Sequence, residues 1–143
     1  MLFRSTELIG AMFRKSYGQD TDTKALTYAN VLHKRAGTIY QTAPKKPADP
    51  VDFVTLIEVI EHMTVGEGDE TLKRIAEWMH PEGEGFITTP VAKTKDGTNP
   101  GNPWHIHEYQ PAELMELVRR HFQDARGKVD RGCLHAIFRG PKL

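Results

Sequence analysis

The sequence predicts an α/β protein whose sheet is mostly parallel, with an antiparallel hairpin at its carboxyl end. Strand-like segments alternate with amphipathic helical segments along the chain, which is the pattern of a parallel sheet covered by helices. Residues 51–57 form a near-continuous apolar run, as in a strand that is buried on both faces. The segment from about 123 to 138 indicates two strands that turn near Asp130–Gly132.

The first third of the chain predicts two helices and two strands. In chain order these are a helix over 6–15, a strand over 16–20, a helix over 23–35 and a strand over 38–41. The first helix is predicted from an apolar face made of Leu8, Ile9, Met12 and Phe13. Asp22 is the expected N-cap of the second helix, and Gly37 lies just beyond its end. The prolines of 43–50 then indicate a loop.

The rest of the chain continues the alternation. In chain order it predicts a strand over 52–58, a helix over 68–79, a strand over 85–89, a helix over 111–122 and the hairpin. The helix over 68–79 is predicted from helical spacing of Leu72, Ile75, Ala76 and Met79. Pro111 is typical of a first helical turn. Residues 90–109 are rich in proline and glycine and too long for an ordinary connection, so we expect a functional or mobile loop.

Composition limits the kind of protein this is. Lys and Arg total 19 and Asp and Glu also total 19, so the charges balance. This balance does not favour a protein that binds nucleic acids or membranes through its overall charge. Cys133 is the only cysteine, which rules out an internal disulfide and fits a reducing, cytoplasmic setting. No apolar run reaches the ~20 residues of a membrane span. The length suits a single domain over 1–143.

Acidic and imidazole side chains follow the apolar run of 51–57. Glu58, Glu61 and His62 come where this strand would leave the sheet, and α/β sheets bind ligands at the carboxyl ends of their strands. If the chain enters a helical turn there, the spacings of three and four residues put all three side chains on one side. Such groups are costly to bury unless something compensates them. We therefore expect a ligand site at this strand end.

Four segments, in this order, resemble the class I S-adenosylmethionine-dependent methyltransferases. They are Tyr17–Asp22, Asp52–Met63, Trp78–Pro90 and Asn102–Tyr109, the last with its following helix. They are similar to the second strand, the fourth strand and its exit, the turn and fifth strand, and a substrate-covering segment of that family. The resemblance covers residues 6–140. It implies a Rossmann-like sheet and transfer of a methyl group from S-adenosylmethionine to an oxygen, nitrogen or carbon nucleophile.

The resemblance also implies roles for particular residues. Asp20 falls at the acid that accepts hydrogen bonds from the cofactor ribose, and Thr42 falls where the family often has an adenine-contacting acid. Glu58 is grouped with them on the cofactor side. Glu61, His62 and His105 are the candidate catalytic residues, because histidine is the usual general base near neutral pH. The acceptor is expected to be a small molecule, a sugar or another metabolite, because the neutral charge does not favour a nucleic acid.

One family element is missing from these residues. Nothing ahead of residue 16 resembles the family's first strand and glycine-rich loop, so the chain looks truncated and is interpreted as an inactive fragment that binds the cofactor poorly. Without the central first strand, two strand edges would stay unpaired or would pair with each other. Met1–Ser5 is interpreted as a non-native leader, since Leu2–Ser5 matches one reading frame of a common sequencing adapter.

A metal site is the main alternative for the acid–histidine segment. The Glu-x-x-Glu-His pattern, with a later histidine, resembles the metal site of the small-RNA 3′-end 2′-O-methyltransferases. The tentative ligand set is Glu58, Glu61, His62 and His105, with His107 as the competing choice for the last place. Such a set suits Mg²⁺, Mn²⁺ or Fe²⁺. The segment also occurs in small methyltransferases without a metal. A metal-dependent hydrolase using the same residues and a non-catalytic binding module are further alternatives.

Overall fold

The computed structural model describes residues 3–142 of the chain, and the side chains of residues 6–142. Met1 and Leu2, part of the expected leader, lie outside the described residues. By internal contacts the chain divides into two compact units, Met1–Ala48 and Asp49–Leu143. The first unit contains α1 (Phe3–Gly10), β1 (Ser16–Asp20), α2 (Thr23–Leu32) and β2 (Thr38–Thr42). The second contains β3 (Val51–Ile57), a 3-10 turn (Ile60–His62), α3 (Val65–Trp78), β4 (Met79–Pro90), α4 (Pro111–His121), β5 (Phe122–Asp130) and β6 (Cys133–Pro141).

The first unit is built on a parallel pair of strands. β1 and β2 pair in register from Ser16 opposite Thr38 to Asp20 opposite Thr42. α2 connects them and begins at the predicted cap, where the Asp22 carboxylate accepts a hydrogen bond from the backbone N–H of Lys24 at 2.8 Å. The parallel pairing therefore puts the last residues of both strands at the same edge of this sheet.

The first helix is shorter than the sequence predicts. It was expected over 6–15 but ends at Gly10, and the chain then turns, with the N–H of Met12 donating to the carbonyl of Ile9. The expected apolar face is not buried, since Leu8 is 69% exposed and Met12 is 81% exposed. Met12 and Phe13 lie beyond Gly10 and so no longer follow the helical stripe, whereas Leu8 is exposed within the helix itself.

The second unit is a mixed four-stranded sheet in the order β3-β4-β6-β5. β3 and β4 are parallel, and β6 runs antiparallel to both β4 and β5. The hairpin between β5 and β6 turns at Arg131 and Gly132, within the predicted turn, and both residues have a positive φ. β4 begins at Met79 rather than near 85, because its first residue already pairs with Val51 of β3. The predicted α/β class, with parallel and antiparallel strands, is confirmed.

α3 and α4 cover this sheet and form the main core with it. A capping box starts α3, in which the side chain of Thr64 accepts from the N–H of Glu67 and the Glu67 carboxylate accepts from the N–H of Thr64. The largest fully buried apolar side chains of this core are Ile60, Leu72, Ile87, Tyr109, Leu114, Val118, Phe122, Leu134 and Phe138. Burying each large side chain of this kind stabilises the fold by about 1.5–3 kcal/mol. The helices therefore fix the sheet that positions the site.

The apolar strand 51–57 is less buried than expected. In the described part of the chain it is an edge strand that pairs only with β4, so its other edge has no neighbouring strand. Val51, Val54 and Leu56 are partly buried against the core, whereas Phe53 is 38% exposed. No helix among residues 3–142 is long and apolar enough to cross a membrane.

Candidate functional site

The chain bends sharply where β3 ends. Glu58 has a φ of 54°, a region that costs a residue other than glycine on the order of 1–3 kcal/mol. Its backbone N–H still donates to the carbonyl of Thr88, so the bend follows directly after the last strand pairing. The next residues form the 3-10 turn, with Ile60 fully buried as its anchor. This bend brings Glu61 into the interior and leaves His62 near the surface.

Glu61 is a buried carboxylate with one unpaired oxygen. Its Oε2 accepts a hydrogen bond from Oγ1 of Thr89 at 3.0 Å, while Oε1 is buried without a hydrogen-bond partner among the described residues. Nε2 of His62 lies 3.8 Å from Oε1, too far for a hydrogen bond. Burial raises the pKa of the Glu61 carboxyl, and the charge of Glu58 raises it further. Hydrogen bonds from the Glu61 backbone and from Thr89 lower this pKa, but burial is the largest effect. This oxygen is therefore poised to accept a proton, a donor or a cation.

In each of the two histidines near Glu61, Nδ1 makes a hydrogen bond to a residue other than Glu61. Nδ1 of His62 lies 2.8 Å from the carbonyl oxygen of Trp104, and Nδ1 of His105 lies 2.6 Å from Oε1 of Glu108. Both partners only accept, so each Nδ1 carries the hydrogen, an assignment that follows from the partners. In the neutral rings Nε2 then holds the lone pair. The two rings meet edge to face, with centroids 5.1 Å apart.

Glu61, His62 and His105 form one cluster, which we name the acid–histidine cluster. One possible ligand atom from each residue lies within 4.8 Å of those of the other two. A carboxylate and two neutral imidazoles are the donor set that divalent transition metals take, and the unpaired oxygen of Glu61 fits a cation. The same atoms can also remove a proton from a bound molecule. The geometry therefore permits both chemistries.

Glu58 lies apart from this cluster. Its Oε1 accepts a hydrogen bond from Oγ1 of Thr88 at 2.8 Å, and Sγ of Cys133 lies 3.8 Å from the same oxygen. Burial raises the pKa of the Cys133 thiol, and the Glu58 charge adds to the effect. Of the four tentative ligands, the structure thus brings together three. The expected helical turn does not include Glu58 because its positive φ directs the chain away first.

His107, the competing choice, has other contacts. Its Nε2 lies 2.7 Å from Oε1 of Glu113, and its ring packs edge to face on Tyr109 at 4.8 Å. Its backbone N–H donates to the carbonyl of Glu61 at 3.1 Å. His105 is therefore the histidine of this loop that enters the acid–histidine cluster, and His107 supports the cluster through its backbone.

Two residues whose roles the sequence does not predict also belong to the site. Thr89 donates a hydrogen bond to one oxygen of Glu61, and the Glu108 carboxylate accepts from Nδ1 of His105. Glu108 is only 2% exposed. Burial alone would raise the pKa of Glu108, but hydrogen bonds from His105 and Asn99 bring it below its usual value. The spacing of three residues from His105 to Glu108 was the available signal, but spacing does not reveal burial.

Two of the three predicted cofactor residues, Asp20 and Thr42, lie in the first unit, whereas Glu58 lies in the second. Asp20 and Thr42 are the last residues of β1 and β2 and stand opposite each other in the parallel register. Oδ1 of Asp20 accepts a hydrogen bond from the N–H of Asp22 at 2.9 Å, a local turn contact that needs no ligand. Thr42 is exposed. The two side chains share the carboxyl edge of their sheet, and their cofactor roles stay predictions.

Comparison with known proteins gives the fold. No family model and no curated protein matches the chain. Among solved structures, the N-methyltransferase NodS from Bradyrhizobium japonicum WM9 matches with a TM-score of 0.76 at 13% identity, over 99% of this chain and 82% of that chain. The complex of DhpI with S-adenosylhomocysteine matches with a TM-score of 0.73 at 15% identity, over 94% of this chain and 70% of that chain. A chain of the Pnkp1/Rnl/Hen1 RNA repair complex matches with a TM-score of 0.64 at 18% identity, over 88% of this chain and 31% of that chain. The chain therefore has the Rossmann-like fold of the S-adenosylmethionine-dependent methyltransferases.

Proposed function

We propose that this chain, which has the methyltransferase fold, takes part in methyl transfer from S-adenosylmethionine to an oxygen, nitrogen or carbon nucleophile. The fold alone does not decide the reaction, because one fold hosts many activities. The observation that carries the proposal is the unpaired, buried Oε1 of Glu61 beside the imidazoles of His62 and His105. This cluster follows the carboxyl end of a parallel strand, where sheets of this kind bind ligands.

The acid–histidine cluster is suited to remove a proton from the acceptor. Nε2 of His105 or His62 takes the proton as the acceptor attacks, and the ring becomes positively charged. The Glu61 carboxylate lies close enough to stabilise that charge, since its Oε1 is 3.8 Å from Nε2 of His62. General-base assistance of this kind contributes about 10²–10⁴-fold to a rate. The remaining task of the protein is to hold the reactants in line.

The cofactor, when bound, supplies a methyl group on a positively charged sulfur. On the cofactor side we propose Asp20 for the ribose hydroxyls and Thr42 for the adenine, as the family resemblance implies. A carboxylate offers two acceptor oxygens, and Asp20 uses Oδ1 for the Asp22 N–H, so Oδ2 is the atom proposed for the ribose. Glu58 already accepts from Thr88, which competes with a cofactor role.

The test measures transfer of a labelled methyl group from S-adenosylmethionine to a panel of hydroxyl- and amine-bearing metabolites. Glu61→Gln should lower transfer by about 10²-fold or more, because it removes the charge beside the imidazoles. Glu77→Gln, which changes an exposed carboxylate of α3, is the matched control and should leave transfer unchanged. Equal rates for both variants, or no transfer to any acceptor at saturating cofactor, would contradict the proposal.

A second candidate is metal-dependent methyl transfer to a ribose hydroxyl, and the three clustered ligand atoms favour it. Both histidines donate through Nδ1 to fixed acceptors, which is how metal-binding imidazoles are usually oriented. A metal there would lower the pKa of the bound hydroxyl. Titration of the metal-free chain with Mn²⁺, followed by electron paramagnetic resonance, tests this. Stoichiometric Mn²⁺ binding by the wild-type chain that is lost in Glu61→Gln would support a metal site. If the spectra of both proteins equal the spectrum of free Mn²⁺, there is no metal site at this cluster.

A further inference from the structure

Glu108 connects two parts of the long loop through a single carboxylate oxygen. Its Oε1 lies 2.6 Å from Nδ2 of Asn99 on one side and 2.6 Å from Nδ1 of His105 on the other. Its backbone N–H donates to the carbonyl of Gly97 at 2.9 Å, and Gly97 has a φ of 75°, which glycine adopts without strain. Glu108 is thus fixed by its backbone as well as by its side chain.

The Glu108 carboxylate decides which nitrogen of His105 carries the hydrogen. A carboxylate only accepts, so a neutral ring in contact with it must hold its hydrogen on Nδ1. The free neutral imidazole prefers the opposite arrangement, with the hydrogen on Nε2. The contact therefore has to overcome an intrinsic preference, and a buried, charge-assisted hydrogen bond is strong enough to do so. The side chain of His105 is 16% exposed, so water competes little for Nδ1.

We propose that Glu108 is a positioning residue, which fixes His105 with the lone pair on Nε2 and directs that lone pair to the acid–histidine cluster. This inference rests on the proposed function, in which Nε2 accepts the proton of the methyl acceptor. Without Glu108 the ring would present an N–H where the reaction needs a base. Asn99 has a different role, because its side-chain amide donates to the Glu108 carboxylate and so holds this part of the loop to Glu108.

The experiment reads the position of the hydrogen directly. Long-range ¹H–¹⁵N correlation spectra of the ¹⁵N-labelled chain are recorded at about pH 9, well above the ordinary pKa of histidine, in metal-free buffer. The signals of His105 are assigned by their loss in His105→Gln. In the wild-type chain Nδ1 should be the protonated nitrogen, and in Glu108→Ala the hydrogen should move to Nε2.

Asn99→Ala is the matched control, because it removes the other donor to the same carboxylate oxygen. It should keep the hydrogen on Nδ1 even if the loop loosens. A wild-type spectrum with the hydrogen on Nε2 would overturn the proposal, whether or not Glu108→Ala folds. An equal shift in Asn99→Ala and Glu108→Ala would also overturn it, because loop order would then be the cause. The spectra need neither cofactor nor acceptor, so a failure of the proposed function is separately visible as unchanged methyl transfer by His105→Gln.

Discussion

Oγ1 of Thr89 donates a hydrogen bond to Oε2 of Glu61 across 3.0 Å, between the end of β4 and the turn that follows β3. The contact joins neighbouring parallel strands at their carboxyl ends and holds a fully buried carboxylate in place. It satisfies only one of the two oxygens, since Oε1 has no partner within residues 3–142. A buried, half-satisfied carboxylate destabilises the fold when charged, so ionised Glu61 lowers the free energy of unfolding.

The first prediction follows from the raised pKa of Glu61. A carboxyl with a higher pKa in the folded chain keeps its proton when the unfolded chain has already lost it, so stability falls as the pH rises from about 4.3 through the folded pKa. Glu61→Gln cannot lose a proton and should lack this dependence. The difference in free energy of unfolding between Glu61→Gln and the wild type should therefore grow in favour of the variant between about pH 4 and pH 8. Its total size should be about 1.4 kcal/mol for each pH unit by which the folded pKa of Glu61 is raised.

Urea unfolding of both proteins at a series of pH values measures this difference. Glu77→Gln provides the control, because it makes the same chemical change at an exposed position of α3. If the curves of Glu61→Gln and wild type run parallel over this range, the pKa of Glu61 is not raised in the folded chain.

The second prediction concerns two glycines of α3. A Cβ at Gly68 would lie 2.7 Å from the buried hydroxyl of Tyr109, whereas a Cβ at Gly66 would meet nothing within 4 Å. Gly68→Ala should therefore destabilise the fold by about 1–3 kcal/mol through overpacking. Gly66→Ala should stabilise it by up to about 1 kcal/mol, because alanine loses less backbone entropy in a helix. Thermal unfolding of the pair measures both effects, and a shift of the same sign in the two variants would show that Tyr109 does not restrict α3.

Much of the fold was predictable because its determinants are local. The cap at Asp22, the Pro111 start of α4 and the turn at Arg131–Gly132 all depend on residues close in sequence. The end of α1 and the exposure of β3 were not predictable in the same way. Burial depends on which elements become neighbours, so an apolar run such as 51–57 does not by itself show that both faces of the strand are covered.

The candidate site was also predictable only where its geometry depends on residues close in sequence. Adjacent placement of Glu61 and His62 follows from their spacing, and the structure brings them together with His105. The choice between His105 and His107 follows from their different partners, because His105 contacts Glu108 and His107 contacts Glu113 in an irregular loop. No periodicity encodes such a contact. Glu58 departs from the expected turn because of a backbone conformation that is uncommon for its residue type.

The third prediction concerns the cofactor. In our proposal Oδ2 of Asp20 accepts from the ribose hydroxyls, because Oδ1 already accepts from the N–H of Asp22. Asp20→Ala should therefore weaken the binding of S-adenosylhomocysteine by about tenfold, the effect of losing one or two hydrogen bonds. Asp49→Ala, which changes an exposed carboxylate, is the control. Calorimetric titration measures all three proteins, and equal affinities of the wild type and Asp20→Ala would contradict the role proposed for Asp20.

The last prediction separates the two histidines of the long loop. His105 contributes to the acid–histidine cluster, whereas the side chain of His107 contacts Glu113 and Tyr109 and reaches the cluster only through its backbone. His105→Gln should therefore lower labelled methyl transfer by about 10²–10⁴-fold, the contribution of a general base. His107→Gln keeps its backbone N–H on Glu61 and should change the rate less than about tenfold, although losing its contact with Glu113 should lower stability by about 1 kcal/mol. Rates and unfolding free energies are measured on both variants, because only their comparison distinguishes chemistry from folding. If His107→Gln loses more activity than His105→Gln at equal stability, the reacting imidazole is His107 and the assignment of the cluster is wrong.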